Sequence, residues 1–159
     1  LVADGQMGFR HVDSEGEFVL PGTAAHVEDV LSGTRDSIRE VTEGGATVVL
    51  IEPLPTLPNT DCLADNQATP EACGTEADLS SLRPYLDGWK TIANGSNGTV
   101  KYVSLLSELC PGGDTCPAIL DGIVASYDGR HLTRSMSIRI APALGQALKS
   151  AGVDLAALD

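Results

Sequence analysis

The sequence predicts an α/β fold, in which helices alternate with the strands of a largely parallel sheet. Two short apolar runs, "ATVVLIE" (46–52) and "VKYVSLL" (100–106), have the length and composition of buried strands. Three longer stretches with helical spacing of apolar residues lie before, between and after them. The order is therefore helix, strand, helix, strand, helix, for which right-handed crossovers and parallel strands are expected.

The first helix is predicted over "TAAHVEDVLSGTRDSIREVTEGG", from residue 23 to residue 45. Its interior Gly33 weakens the pattern, and the pair Gly44-Gly45 is a typical C-terminal stop. Residues 1–25 read as an irregular lead-in that opens with a very short apolar piece. The apolar residues of the helix recur at near-helical spacing: Val27, Val30, Leu31, Ile38 and Val41.

A long loop and a second helix are predicted between the two strands. "PLPTLPNTDC" (53–62) is predicted as a loop, because its prolines remove N–H donors and fix φ. The helix is predicted from about Glu76 to Ala93, with Pro84 starting it afresh or bending it. "NGSNGT" (94–99) is predicted as a turn, and its two N-x-S/T sequons fit turn chemistry better than glycan sites. One side of the helix carries Leu79, Leu82, Leu86, Trp89 and Ile92.

The C-terminal part of the chain predicts a hairpin and a third helix. "AILDGIVASY" (118–127) can turn at Asp121-Gly122. In "TRSMSIRIAPALGQALKSAG" (133–152), Pro142 is expected to kink the helix. The apolar face of this helix repeats every fourth residue, at Met136, Ile140, Leu144 and Leu148.

Length and charge limit the class of protein. The chain has 159 residues, the length of one domain, and 42% are hydrophobic, which is enough for a core. The formal net charge of −12 makes nucleic acid and anionic lipid unfavourable partners, and it also keeps a protein soluble. No apolar run approaches the ~18 residues of a membrane span. No signal-peptide pattern opens the sequence, so a targeting segment of an exported protein would lie outside it.

Four cysteines form two local pairs, Cys62 with Cys73 and Cys110 with Cys116. An even number of cysteines in closed, polar loops favours disulfides and an oxidising compartment. Zinc and free thiols are the alternatives, and zinc is disfavoured because neither interval has C-x-x-C spacing or contains a histidine. The sequence has no Gly-rich phosphate loop and no metal-ligand cluster, so neither a cofactor nor a metal is expected.

The stretch "SYDGRHLT" (126–133) carries the candidate site residues, Asp128 and His131. A carboxylate about one helical turn from a histidine can accept from one ring nitrogen while the other nitrogen faces a cleft. This is the arrangement of acid and base in a serine hydrolase, and Gly129 allows the turn to close tightly. The alternative is that Asp128 caps the following turn and that His131 is a surface residue.

"YDGRHLT" followed by an apolar helix resembles the last signature block of SGNH (GDSL-type) serine hydrolases. With "TVVLIEPLP" and "VKYVSLLSELCPGGDTCPAIL" upstream, the chain is similar over about residues 26–150 to the extracytoplasmic SGNH domain fused to membrane-bound acyltransferase 3 proteins, especially actinobacterial ones. The resemblance implies a three-layer α/β/α sandwich with a mainly parallel, flavodoxin-like sheet. It also implies that residues 1–159 are one such domain or its C-terminal portion, with both cysteine pairs as disulfides.

The same resemblance implies a function. Domains of this family assist or perform O-acyl transfer, typically acetylation, on cell-envelope glycans, and free-standing relatives are esterases. Asp128 and His131 would be the acid and the base of a Ser-His-Asp triad. The partners would be an acyl donor, an envelope carbohydrate and a membrane acyltransferase domain, in an extracytoplasmic or envelope location and without a cofactor. A stand-alone secreted esterase is an alternative, which a signal peptide upstream would indicate.

The nucleophile is where the sequence departs from the family. The Gly-Asp-Ser block with the serine is not recognisable, and neither are the oxyanion-hole Gly and Asn. One explanation is that the N-terminal half lies outside this chain, with "LVA" as the tail of a third strand. The other is that "LVADGQ" is a decayed block with Ala3 and Gly5 in place of its Gly and Ser, which would give a non-catalytic glycan-binding or adaptor domain. The interval from Gln6 to Ala25 is too short for two β–α passes, which favours the first explanation.

Other polar residues are weaker candidates. Ser135 and Ser137 follow His131 closely, but serines on the predicted helix so near the base are expected at the surface. His11 and His26 are isolated in the sequence and expected to be exposed. Two acidic residues near the predicted active edge, Glu52 and Asp61, fit solvated loop positions better than a sugar-binding rim.

Overall fold

The computed structural model describes residues 10–12, 15–65 and 69–153. The helices are α1 (Ala24–Glu43), α2 (Thr60–Ala64), α3 (Arg83–Gly95), α4 (Leu106–Leu109) and α5 (Arg134–Ser150), with a 3₁₀ turn at Ser80–Leu82. The strands are β1 (His11–Val12), β2 (Phe18–Val19), β3 (Val48–Ile51), β4 (Thr75–Glu76), β5 (Val100–Val103), β6 (Thr115–Cys116), β7 (Ile119–Leu120) and β8 (Ile123–Val124). Two compact units result, Leu1–Ile51 with Ser80–Val103 and Glu52–Leu79 with Ser104–Asp159.

The first unit contains the two strands that the sequence predicted, and they pair in parallel. The register aligns Val48 with Val100 and continues to Ile51 with Val103. Between these strands the chain forms α3, which packs against β5, while α1 packs against α3 and β3. Val48, Leu50, Val100 and Val103 of these strands are buried, with the amphipathic helices packed beside them, and the predicted α/β pattern is confirmed here.

Helix α1 has the predicted bounds for reasons visible in its sequence. The Thr23 hydroxyl accepts from the His26 N–H at 3.2 Å and caps the first turn, and Gly44 ends the helix. Val30, Leu31 and Ile38 are buried, whereas Val41, at the last turn, is exposed. At Gly88 of α3 a Cβ atom would clash with the Cδ atoms of Leu31, so a larger residue where the two helices meet would require the leucine to move.

A buried polar pair in the first unit corrects the expectation that His26 is exposed. His26 is fully buried in α1, and its Nδ1 lies 2.8 Å from the hydroxyl of Tyr85 in α3, which also accepts from the Gly22 N–H at 3.0 Å. His11 is half-buried rather than isolated, because its Nε2 lies 2.8 Å from a carboxylate oxygen of Asp29. A buried ring nitrogen is stable only with a hydrogen-bond partner, and the distant Tyr85 gave no signal in the local sequence.

The second unit is organised around α5 and the two cysteine loops. Both predicted disulfides are confirmed, Cys62–Cys73 and Cys110–Cys116, and they account for all four cysteines. The predicted hairpin is also present, with β7 and β8 joined by a turn in which Asp121 and Gly122 both have positive φ. The buried core of this unit consists of Leu57, Leu105, Leu109, Cys110, Cys116, Ala125, Met136 and Ile140.

The second predicted helix starts later than the sequence suggested. Residues 76–79 are not helical, because Thr75 and Glu76 pair with β6 as β4. The helix begins at Arg83 with Pro84 in its first turn, where a missing N–H costs nothing. It continues to Gly95, so the sequon at Asn94 lies in its last turn rather than in the predicted turn. A short helix, α2, also occupies part of the predicted loop, capped by Asn59.

The sheets are more mixed than expected. The described residues form four two-stranded ladders, and β3–β5 is the parallel one. The pairs β1–β2, β4–β6 and β7–β8 are antiparallel and only two residues long on each strand. The first of these gives part of the lead-in regular structure.

Two further expectations concern the start of the chain and membrane spans. The segment "LVADGQ", with Ala3 and Gly5, lies outside the described residues. None of the described helices is both long and apolar enough to cross a membrane.

Candidate active site

The loop between β8 and α5 carries both candidate residues, and it is closed by hydrogen bonds at its base. Ser126 and Leu132 form an antiparallel bridge. The fully buried hydroxyl of Ser126 accepts from the Gly129 N–H at 2.8 Å. Gly129 has φ +84°, a conformation that L side chains rarely adopt. The loop therefore folds back on itself in a small number of residues, and a buried serine holds the turn.

Thr133 fixes the exit of the loop into α5. Its hydroxyl donates to the Val124 carbonyl at 2.6 Å and accepts from the Met136 N–H at 3.1 Å. The same residue is the N-cap of the helix, and its backbone N–H donates to the Ala125 carbonyl at 3.1 Å. One side chain thus ties β8 to the first turn of α5, immediately after His131.

The two oxygens of the Asp128 carboxylate have different partners, one the backbone of the turn and the other the imidazole of His131. Oδ1 accepts from the backbone N–H groups of Arg130 and His131, at 2.9 and 2.8 Å. Oδ2 lies 2.6 Å from His131 Nδ1. The residues form a turn closed by the aspartate side chain rather than the helical turn that the spacing suggested. Asp128 therefore caps the turn, as one alternative of the sequence predicted, and its second oxygen contacts the exposed His131.

These hydrogen bonds determine the protonation of the pair. The His131 side chain, then the backbone N–H of His131 and that of Arg130, lower the pKa of Asp128 from 3.8 to about 2. The carboxylate is therefore ionised near neutral pH and can only accept a hydrogen bond. Nδ1 of His131 must then carry the proton, so in the neutral ring Nε2 has the free lone pair. This is the tautomer of a general base.

His131 presents Nε2 to the surroundings of the loop. The His131 side chain is 68% exposed and that of Asp128 39%. Within the described residues Nε2 makes no hydrogen bond, and no serine hydroxyl contacts the ring. The pair is held by backbone contacts rather than by burial, with its basic nitrogen directed away from the carboxylate.

The segment that follows β3 packs against the candidate loop. The Leu57 N–H donates to the Gly129 carbonyl at 2.8 Å, and Asn59 forms an antiparallel bridge with Asp128. The Thr60 hydroxyl donates to the Tyr127 carbonyl at 3.1 Å. The sequence predicted that these two loops share one edge of the fold. Their contact shows that residues 57–60 form a backbone support for the turn that holds Asp128.

Of the other serine and carboxylate candidates, three are exposed and one is buried. Ser135 and Ser137 are exposed on α5, and the Ser137 hydroxyl donates to the Thr133 carbonyl at 3.1 Å. Asp61 is exposed as expected. Glu52 is buried, with 9% of its surface exposed, which corrects its interpretation as a solvated loop residue. The described ranges contain no group of three or more His, Cys, Asp or Glu residues that could hold a metal ion.

Comparison with known families identifies the type of domain. A family model described as "SGNH domain (fused to AT3 domains)" matches residues 4–146 of the 159. The chain belongs to this family. The match to the SGNH model begins well before residue 26, where the sequence motifs first indicated the resemblance, and it includes the Asp128–His131 loop. Searches of curated proteins and of solved structures found no match.

Three residues that support the candidate loop of the SGNH domain were not predicted from the sequence. Ser126, Thr60 and Thr133 each fix the backbone of the candidate loop through a side-chain hydroxyl. Thr133 had a local signal, since a threonine directly before an apolar helical pattern is a typical N-cap. Thr60 had none, because its partner lies 67 residues away in the sequence.

Proposed function

We propose that this SGNH domain takes part in O-acyl transfer, typically of acetyl groups, or in ester hydrolysis on cell-envelope glycans. His131 would be the general base and Asp128 the carboxylate that orients it, in a Ser-His-Asp triad. The observation that carries the proposal is the 2.6 Å contact between His131 Nδ1 and an aspartate ionised above about pH 2. Membership in a family of SGNH domains fused to AT3 domains supports acyl transfer or ester hydrolysis as the class of reaction.

The proposed reaction has two acyl-transfer steps. A serine hydroxyl attacks the carbonyl carbon of the acyl donor, and Nε2 of His131 takes the serine proton. The resulting imidazolium returns that proton to the leaving group as the tetrahedral intermediate collapses to an acyl-serine. A sugar hydroxyl or a water then attacks the acyl-serine, with His131 again taking and returning a proton. Backbone N–H groups and a side-chain amide would bind the oxyanion.

The serine and the oxyanion groups of this proposal belong to polypeptide other than the described residues. Two of the described serines near the site already have structural roles, since Ser126 is buried in the turn and Ser137 bonds to its own helix, and Ser135 is exposed on α5. We therefore assign to this chain the acid and the base only. Asp128 would stabilise the imidazolium electrostatically, and it would keep Nδ1 of the ring facing the carboxylate during the two proton transfers.

We further propose the finer architecture that the family implies. Residues 1–159 would be the C-terminal portion of a single SGNH domain with a three-layer α/β/α sandwich and a mainly parallel sheet. The parallel β3–β5 pair, with α1 and α3 packed beside it, supports this proposal. The antiparallel ladders would be local additions, because each joins only two residues of either strand.

An extracytoplasmic location and a membrane partner complete the proposal. Two disulfides are expected in an oxidising compartment and are rare in a reducing one. The family description, with its fusion to AT3 domains, supports a membrane acyltransferase domain as partner. The acyl donor and the envelope carbohydrate would then meet at the His131 loop.

The test is the turnover of a simple acetyl ester by the full-length protein and its His131→Ala variant. Loss of the base should lower kcat by about 10³-fold or more, because a triad residue typically contributes several powers of ten. His11→Ala is the matched control, since His11 also pairs with an aspartate but lies in the first unit. Turnover by His131→Ala at the rate of the control would refute the catalytic assignment.

A non-catalytic adaptor that binds glycan or a membrane partner is the second candidate. One observation favours it: among the described residues, no serine contacts the exposed imidazole of His131. The complete open reading frame separates the two candidates. A Gly-Asp-Ser block upstream supports the enzyme. Without such a block, and with glycan binding unchanged in His131→Ala, the adaptor would be the better account.

A further inference from the structure

A tyrosine ring lies against the candidate base. The rings of Tyr127 and His131 are nearly parallel, with an angle of 15° between their planes and 5.8 Å between their centroids. This separation is within the range of offset-stacked aromatic pairs. The tyrosine side chain is not buried in a core, since 54% of its surface is exposed. Its place is therefore not explained by the hydrophobic packing of the unit.

The backbone of Tyr127 is fixed on both sides. Its N–H donates to the His131 carbonyl at 3.4 Å, and its carbonyl accepts from the Thr60 hydroxyl at 3.1 Å. The bridge between Ser126 and Leu132 closes the loop around it. These contacts fix the main chain of Tyr127 beside that of His131, in the position from which the two rings stack.

We propose that Tyr127 is a positioning residue, which holds the imidazole of His131 in the plane where Nδ1 faces Asp128. The inference rests on the proposed function of His131 as a base. The Asp128 hydrogen bond fixes one point of the ring, but it leaves the ring free to rock about that point. An aromatic surface stacked on the ring restricts this rocking, and it also favours the imidazolium that forms when the base takes a proton.

Alternatives for the tyrosine are less well supported by the surroundings. Its hydroxyl makes no hydrogen bond with another described residue, so a role as proton donor within the turn has no support.

A control residue for the experiment is available in the first unit. Apart from Tyr127 and the His131 ring itself, the only described aromatic side chain with comparable exposure is Phe18, on β2. Phe18 packs beneath the guanidinium of Arg10, at 4.6 Å, and provides a matched control for the loss of an exposed aromatic ring.

The experiment measures acetyl-ester turnover and a spectroscopic signal in the full-length protein. Tyr127→Leu should lower kcat roughly two- to tenfold with KM within twofold of the wild type, as expected from the strength of an aromatic pair. Tyr127→Phe keeps the ring and should restore most of the lost kcat, while Phe18→Leu should leave turnover unchanged. In ¹⁵N-histidine-labelled protein, the downfield Nδ1 proton of His131 should broaden in Tyr127→Leu and stay sharp in Tyr127→Phe.

Two results would overturn the inference. One is a Tyr127→Leu protein whose kcat and Nδ1 proton signal match the wild type. The other is a Tyr127→Phe protein as impaired as Tyr127→Leu, which would assign the effect to the hydroxyl instead of the ring. The proton signal does not depend on turnover, so it tests the positioning of the imidazole even if His131→Ala shows that the proposed function is wrong. Conversely, an inactive His131→Ala with an unaffected Tyr127→Leu would remove only the role of the tyrosine.

Discussion

Replacing Asp128 by Asn tests the tautomer that the loop imposes on His131. The two backbone N–H groups that donate to Oδ1, from Arg130 and His131, decide how the new amide is oriented. The amide oxygen must face these donors, because the reverse orientation would place an NH₂ group against two N–H groups. The NH₂ group then faces Nδ1 of His131 and donates to it. The ring must carry its proton on Nε2, where it cannot accept one from a serine.

The expected loss in Asp128→Asn is on the order of 10⁴-fold in kcat, the size of effect seen when an amide replaces a triad acid and forces the wrong tautomer. Asp128→Ala leaves the ring free to adopt either tautomer, so it should be no less active than Asp128→Asn. The assay is acetyl-ester turnover with the full-length protein, and Asp121→Asn is the control. Asp121 also pairs with a cationic side chain, that of Arg139, but it lies in the β7–β8 turn.

A proton on Nδ1 in Asp128→Asn, seen by ¹⁵N NMR, would contradict this reasoning, as would wild-type turnover.

The lowered pKa of Asp128 also defines the pH range over which its carboxylate contributes. Because the folded pKa of Asp128 lies below its ordinary value of 3.8, the contribution of the carboxylate is complete above that value and is lost as the pH falls through about 2. A ¹³C carboxyl titration should therefore have its midpoint near pH 2. A midpoint near 3.8 would show that the contact with His131 does not form in solution.

Four further predictions concern stability. Gly129→Ala should destabilise the fold by about 1–2 kcal/mol and reduce turnover, because φ is +84° and the new Cβ would lie 3.0 Å from a carbonyl oxygen. Gly113→Ala, with φ +81° and open space, should cost stability but keep turnover. Replacing both Cys62 and Cys73 by Ser should cost about 3 kcal/mol through the unfolded chain. Tyr85→Phe should cost about 1–3 kcal/mol by removing a buried hydroxyl. Urea denaturation measures each change, and unchanged midpoints would contradict these predictions.

The elements that the sequence predicted well are those with a strong local pattern. Helix α1 follows from the helical spacing of its apolar residues, and strands β3 and β5 follow from short continuous apolar runs. The β7–β8 hairpin follows from Asp121-Gly122, which suits the positive φ of both turn positions. Both disulfides could be anticipated because each pair closes a short polar loop.

What the sequence did not predict depends on distant partners. Glu76, the second residue of strand β4, was predicted to begin a helix, because the pairing of β4 with β6 leaves no periodic signal in the local sequence. His26 was expected at the surface, but Tyr85, 59 residues away, provides its buried hydrogen-bond partner. In both cases tertiary contacts override local preference, and a single sequence does not record them.

For the candidate pair, local spacing predicted one part of the geometry, and only the structure shows the rest. The spacing of Asp128 and His131 was sufficient to suggest their contact, whereas the support from residues 57–60 and the stacking of Tyr127 became visible only in the structure. A hydrogen-bonded pair this exposed contributes little to stability, because water competes for its contacts. Its value to the proposed reaction lies instead in geometry, since an ionised acceptor fixes which ring nitrogen can act as a base. The supporting hydrogen bonds are therefore part of the proposed chemistry, because they hold the carboxylate in the one orientation that sets the tautomer.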